Sequence, residues 1–312
     1  MFTPKKSLTA LKYFLFGLVI VFITIWCSVI VFGLIKYNNG FAIRTKITKN
    51  PGLNDGFVPQ GLTWNYDNKC FYTTGYMKDG SASRIYKINP ETNEEVFYVL
   101  KSNGQDFYGH TGGLQYTDGY FYLANEGVGL FFFPADSAVD KTIEIGEPIQ
   151  VNNHSSFVFT KEDFAYVGEF NDSEKYICTN DFSYNGVNHK AIVSKYKKDD
   201  FSEPVAIYSV GNHIQGFAIL QDGTIILSKS YRLNPSEFLV YKPDQQIMTG
   251  KYMQEVEVCF LGEPSEVLSL PPMSEDLDVY NNKLIYMSES ASKKYIYGNL
   301  YFDRFIYSID VN

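Results

Sequence analysis

Residues 60–76 open with Gln60-Gly-Leu-Thr-Trp64, pass through a polar turn and continue as Phe71-Tyr-Thr-Thr-Gly-Tyr76. The same order returns four times: Gly112-Gly-Leu-Gln-Tyr116 before Phe121–Glu126, Ser155-Ser-Phe-Val-Phe159 before Ala165–Phe170, Gln215-Gly-Phe-Ala-Ile219 before Ile225–Ser230, and Glu275-Asp-Leu-Asp-Val279 before Ile285–Ser290. Turns such as Asp118-Gly119, Asp222-Gly223 and Asn281-Asn282 separate the halves, so each unit reads as a β-hairpin. The second halves share a small residue, at Thr74, Ala124, Gly168, Ser228 and Ser288, spaced by 50, 44, 60 and 60 residues. A wrap-around interval of 58 residues, from Ser288 through the C-terminus and on from Phe41 to Thr74, closes the series without a sixth unit.

Alternation within the first halves says how the units meet. Leu62 and Trp64, Leu114 and Tyr116, Phe157 and Phe159, Phe217 and Ile219, and Leu277 and Val279 put two bulky side chains on one strand face. The opposite face begins small, at Gly61, Gly113, Ser156 and Gly216, with Asp276 the exception. Bulky faces meeting small ones around a ring predict an all-β fold, a five-bladed β-propeller. Six blades is the alternative, should Tyr176 to Lys195 hide another unit. Later strands are expected at Arg84 to Asn89 and Glu95 to Leu100 in the first blade, Ala191 to Tyr196 and Val205 to Val210 in the third, and Glu237 to Tyr241 and Val256 to Leu261 in the fourth. The last blade ends with Phe305 to Val311, and Ala42 to Lys49 is expected to fill its missing edge as a latch.

Ahead of this domain, residues 13–35 run for 23 positions without a formal charge, roughly 34 Å as a helix, enough to cover a bilayer core. Lys5, Lys6 and Lys12 precede the run and only Lys36 follows closely, so the positive-inside bias predicts a cytoplasmic tail over residues 1–12. Residues 36–312 then lie outside the cytoplasm, in a single-pass protein of the cell membrane. A cleaved signal peptide is the other reading, but the apolar run is longer than a usual signal and no A-x-A-like site follows it.

The first 40 residues hold four lysines and no acid, which leaves 23 basic against 35 acidic residues in the outer domain. That balance argues against nucleic acid and anionic lipid as partners of its surface. Cys27 falls in the helix, and Cys70, Cys178 and Cys259 are too few and too far apart for a disulfide framework, so the fold must rest on its core.

Propeller axes gather the starts of the inner strands, and the aligned positions there read Val58, His110, Asn153, His213 and Met273, then Gln60, Gly112, Ser155, Gln215 and Glu275. The candidate ligand-binding set is therefore Gln60, His110, Asn153, His213, Gln215 and Glu275, with His154 and Asp276 beside them on the opposite parity. Two imidazoles and a carboxylate, His110, His213 and Glu275, suit one divalent metal ion, and a histidine beside a carboxylate equally suits general-base hydrolysis. The plainer alternative is that these groups only hold water and close off strand ends. A second ring, Tyr76, Glu126, Glu169 or Phe170, and Glu289, reads as solvated loop residues that widen the mouth. No phosphate-binding loop, dinucleotide fingerprint or nucleophile elbow is present.

Val58-Pro-Gln-Gly61, Gly75-Tyr-Met77, Gln215-Gly216, Pro271-Pro-Met-Ser-Glu275, Glu289-Ser-Ala291 and Lys294-Tyr295 together resemble an uncharacterised group of bacterial membrane-anchored or secreted β-propellers. The group is loosely similar to strictosidine-synthase, gluconolactonase and paraoxonase-type propellers, and that resemblance implies six blades, lactone or ester hydrolysis and an axial calcium. Those families begin the first repeat with an acidic ligand, where this chain has Gln60. Three functions follow as expectations: a ligand-binding or interaction module acting through the axial mouth on a small molecule or envelope component, a metal-assisted hydrolase on the same axis, or a scaffold that binds through the blade sides.

Overall fold

A computed structural model of the chain describes residues 4–252, 255–295, 298–301 and 303–311. Five sheets follow one another around a closed ring, each led by one of the five antiparallel hairpins quoted above. Phe57–Asn65, Gly113–Thr117, Phe157–Lys161, Ile214–Ile219 and Ser274–Tyr280 are the inner strands, and each contacts the inner strand of the next blade, the fifth meeting the first. The six-bladed alternative falls away, because Tyr176 to Lys195 supplies only a separate hairpin (Phe182–Tyr184 with Val187–His189) and the start of the third blade's own third strand.

The steric argument read from the sequence is visible at the blade contacts. A Cβ on Gly61 would lie 2.7 Å from the amide nitrogen of Leu114, and one on Gly113 would lie 2.5 Å from that of Val158. The absent side chains are thus replaced by the backbone of the neighbouring blade. On the bulky face Leu62, Leu114, Phe157, Phe217 and Leu277 are fully buried between sheets.

Arg44–Lys49 pairs antiparallel with Phe305–Ile309, so the chain's beginning completes the last blade as expected. Residues 42 and 43 belong instead to a short helix, Asn38–Ile43. Arg44 fastens this latch through a buried ion pair of 2.5 Å to Asp303 and by lying over the Tyr307 ring.

Two strand assignments need correction. Val256–Leu261 does not edge the fourth blade, whose outer strand is Glu266–Leu270. With Gln246–Tyr252 it forms a hairpin that crosses to the third blade and pairs parallel with Ala206–Val210. Period-2 alternation identifies a strand but not the sheet edge it covers, and here burying Phe260 against His189 and Tyr184, with Cys259 in the main core, decides the choice. The second blade keeps three strands, and Thr142–Glu144 reaches back to pair parallel with Glu95–Ser102 of the first. Cys70, Cys178 and Cys259 are buried free thiols, so packing carries the domain.

The N-terminal helix, Pro4–Lys36, contains a 29-residue stretch, Leu8–Lys36, long and apolar enough to cross a membrane. Among the described residues, the end of this helix and the segment just after it meet the propeller. Gly33 lies directly under the Tyr301 ring, Tyr37 meets Tyr301 edge to face at 5.6 Å, and Gly40 abuts the Ser269 carbonyl.

Candidate functional site at the axial mouth

Inner strands enter the mouth irregularly, and the irregularities aim the site. The ladder of the first blade slips between Pro59 and Gly61, that of the fourth between Ile214 and Gly216, and that of the fifth between Ser274 and Leu277. Each slip is a β-bulge, and the residues it frees from pairing are Gln60, Gln215, and Glu275 with Asp276. Three blades thus direct polar side chains into one place. The result is a cavity of about 420 Å³ lined by Gln60, His110, Gln215 and Glu275 together with Glu126, Glu289 and an aromatic wall of Phe170, Tyr176, Tyr231 and Tyr295.

The cavity has an acidic floor. Gln60 Nε2 donates to Glu289 Oε2 at 2.9 Å. Burial lifts the Glu289 carboxyl to about 7, against the opposing charge of Lys294 and hydrogen bonds from Gln60 and Tyr295. Glu275, 4% exposed, is pushed well above the usual carboxylate range, first by burial, then by the charges of Glu289 and Asp276. The two acids therefore share the site near neutral pH with fewer than two negative charges between them. Beside them the His110 ring packs on Tyr76 at 4.8 Å, and the Lys294 ammonium lies over the same tyrosine ring at 4.6 Å and donates to its hydroxyl. Enclosure in the mouth, then the charges of Lys294 and Lys175, lower the basicity of His110, an effect moderated by cavity water because more than a third of the residue is open.

Below the floor the shaft is sealed. Asp276 is fully buried, and its Oδ2 accepts the amide N–H groups of Leu62 at 3.2 Å and Leu114 at 3.1 Å, from two other blades. One layer deeper, Asp278 Oδ2 accepts the Thr63 hydroxyl and the Trp64 amide, both at 2.9 Å, and Thr63 in turn accepts from the Tyr116 amide. Burial raises Asp278 to about 6 despite these donors, and it raises Asp276 well above its ordinary value. These two acids do what the plainer reading of the axis anticipated: they satisfy strand N–H groups that face the shaft and have no partner strand.

Of the eight candidate ligand-binding residues, Gln60, His110, Gln215 and Glu275 line the cavity and four do not. Asn153 is held outside it, donating to the Val167 carbonyl and accepting from the Tyr196 hydroxyl, both at 3.0 Å. His154 faces outward, with its side chain 54% exposed, and pairs with Glu126 at 3.0 Å. Asp276 points down the shaft. His213 adopts a left-handed backbone with φ 67° and lays its ring flat on Tyr231 at 4.1 Å, lining a neighbouring recess. Strand alternation holds only through extended residues, so the facing deduced for His213 lapses at that turn. The metal set of His110, His213 and Glu275 is not brought together, and among the described residues no three His, Cys, Asp or Glu side chains gather to hold a metal ion.

The second ring was undervalued. Glu289 forms part of the floor. Glu126 lines the wall, where it accepts the Ser156 hydroxyl, and burial raises its carboxyl. Glu169 is buried and structural, its Oε2 accepting from the Asn180 side chain at 2.9 Å and the Ile192 amide at 3.1 Å. Tyr176, Tyr231, Arg232, Leu233 and Tyr295 come from mouth-side loops that strand-start alignment does not reach. The aromatic and basic content of those loops was the only signal pointing to them.

No family model and no curated protein matches the chain. Among solved structures, glutaminyl cyclase of Myxococcus xanthus aligns at a TM-score of 0.49 and 10% identity, over 86% of this chain and 95% of its own. The PQQ-bound aldose sugar dehydrogenase of Streptomyces coelicolor gives 0.46 and 12%, over 78% and 76%, and the WD40 β-propeller domain of Doa1 gives 0.41 and 9%, over 81% and 79%. At such identities a likeness extends to fold alone, and none of these proteins lends this chain a ligand or a reaction.

Proposed function

We propose that the chain is a single-pass membrane protein, with residues 1–12 in the cytoplasm, 13–35 across the bilayer and 36–312 outside, whose propeller binds a small ligand in the axial cavity. The observation that carries the reading is the floor itself. Glu275 and Glu289 are held together against their own ionisation and are open to the mouth, an arrangement that is unfavourable unless a bound group rewards it. A ligand with a protonated amine or several hydroxyl donors supplies that reward, and the aromatic wall of Tyr176, Tyr231 and Tyr295 accommodates its apolar part and stacks on a cation. The metal-assisted hydrolase reading loses its support with the dispersal of His110, His213 and Glu275.

Calorimetric titration of the full chain in detergent micelles tests this, using primary amines, amino sugars, short basic peptides and divalent ions as probes. Amine binding at pH 7 should release protons as the two acids ionise, seen as an enthalpy that changes with the ionisation heat of the buffer. Glu289→Gln should reduce that proton release. Indifference to every probe refutes a ligand role.

A further inference from the structure

We propose that the mouth-side rim of the propeller rests on the bilayer that holds the N-terminal helix, so that the axial cavity opens toward the lipid surface. The inference relies on the spanning reading of that helix.

The first observation concerns the connections on the mouth side. Tyr108, just ahead of the second inner strand, is 68% exposed, and Ile177 and Leu233, in the mouth-side loops of the third and fourth blades, are 58% and 57% exposed. Val128, at the matching tip of the second blade, is 42% exposed. These are large apolar side chains carried on loop tips, where solvent would ordinarily favour polar ones. The turns at the other end of the ring present exposed acids, among them Asp67, Glu162 and Asp222, as well as exposed Tyr66 and Val139, so the apolar tips alone do not distinguish the two ends.

The second observation is where the helix leaves. Its own contact is Gly33 against Tyr301, in the loop that also carries Glu289 and Tyr295 into the cavity, and Gly40 of the short helix that follows abuts Ser269 and Leu270, whose partner Ser236 lies at the mouth end of its strand. From Leu8 to Ser28 the helix is almost wholly exposed, so it departs from the mouth side and does not fold back along a blade. Tyr301 packs on Gly33, inside the apolar stretch, which seats this tyrosine at the depth where bilayers favour aromatic rings. A span fixed there brings the loop tips to the interface, where apolar side chains gain by entering the boundary between headgroups and acyl chains.

The test uses the full chain in phosphatidylcholine nanodiscs, with Cys27→Ser to remove the exposed thiol. Single reporters Tyr108→Cys, Ile177→Cys and Leu233→Cys, and Val139→Cys at the opposite end, carry an environment-sensitive fluorophore. Lipid-borne quenchers should extinguish most of the signal at 108, 177 and 233 and little at 139, and a water-soluble quencher should rank them in the reverse order. Equal aqueous access at all four positions overturns the proposal. So does a purified protein whose mass lacks the N-terminal helix, or which alkaline carbonate strips from membranes. Titrating the same nanodiscs with amine reads the cavity separately: binding with a water-exposed rim sinks this inference alone, and a lipid-seated rim without binding sinks only the ligand reading.

Discussion

Glu289→Gln should make the protein more stable, and more so at higher pH. The wild-type carboxyl titrates near 7 in the fold and at its ordinary 4.5 in the unfolded chain. A folded value raised in this way gives stability that is complete below the unfolded value and is lost as pH climbs through 7. Glutamine keeps the shape of the protonated acid and an oxygen for Gln60, and it cannot ionise. At about 1.4 kcal/mol per pH interval of displacement the variant should gain about 2 to 3 kcal/mol at pH 8, the lower figure allowing for water in the cavity, with the gain fading toward zero near pH 4.5. Urea unfolding in micelles, followed by fluorescence of the buried Trp64, reads the difference at each pH. A variant less stable than wild type at pH 8, or a gain that does not vary with pH, would show that Glu289 is not held against its ionisation. The ligand argument drawn from it would then fail as well.

Gly113→Ala forces a Cβ to within 2.5 Å of the Val158 nitrogen, and because both sides of that contact are backbone the expected loss is about 2 to 3 kcal/mol. Gly211→Ala, with nothing within 4 Å, is the control and should stay within about 0.5 kcal/mol in the same unfolding assay. Asp276→Ala strands the Leu62 and Leu114 amides in a dry shaft, a loss of about 2 to 5 kcal/mol, visible as a fall in the urea midpoint. His154→Ala removes an exposed partner of the wall residue Glu126, and stability should move by less than about 1 kcal/mol in the same unfolding assay.

The ring was legible because it depends on periodicities that survive in any single sequence. Gly61 and Gly113 alternate with Leu62 and Leu114 for a steric reason that can be stated before any coordinates exist, and the latch strand follows from counting the edges of the last blade. What alternation does not encode is where a ladder slips. The bulges at Gln60, Gln215 and Glu275 turn into the cavity side chains that counting had also placed there, whereas the slip before Leu277 sends Asp276 down the shaft and the left-handed turn at His213 takes its ring out of the cavity. Asn153 and His154 lie outside the cavity because local partners, Tyr196 and Glu126, hold their side chains elsewhere. The hairpin of Gln246–Tyr252 and Val256–Leu261 was misplaced by a different failure, since edge choice is a tertiary decision.

Glu275 and Asp276 show how narrow the margin between site and scaffold is at a propeller axis. The residues are adjacent, both acidic, both buried, and both raised above the normal carboxylate range. Asp276 is answered by three amides, those of Leu62, Leu114 and Leu277, so its burial is explained by what it holds together. It stands where the other inner strands carry Gly61, Gly113, Ser156 and Gly216, and that substitution of an acid for a small residue fits one member of the ring reaching across to tie two others. Glu275 faces the cavity instead, beside a second acid that raises the energy of its own charge. A buried acid answered by amides is structure; a buried acid set against another and opened to solvent is stable only with a bound proton or a bound cation, and that difference is why the search for a ligand belongs at Glu275 and Glu289.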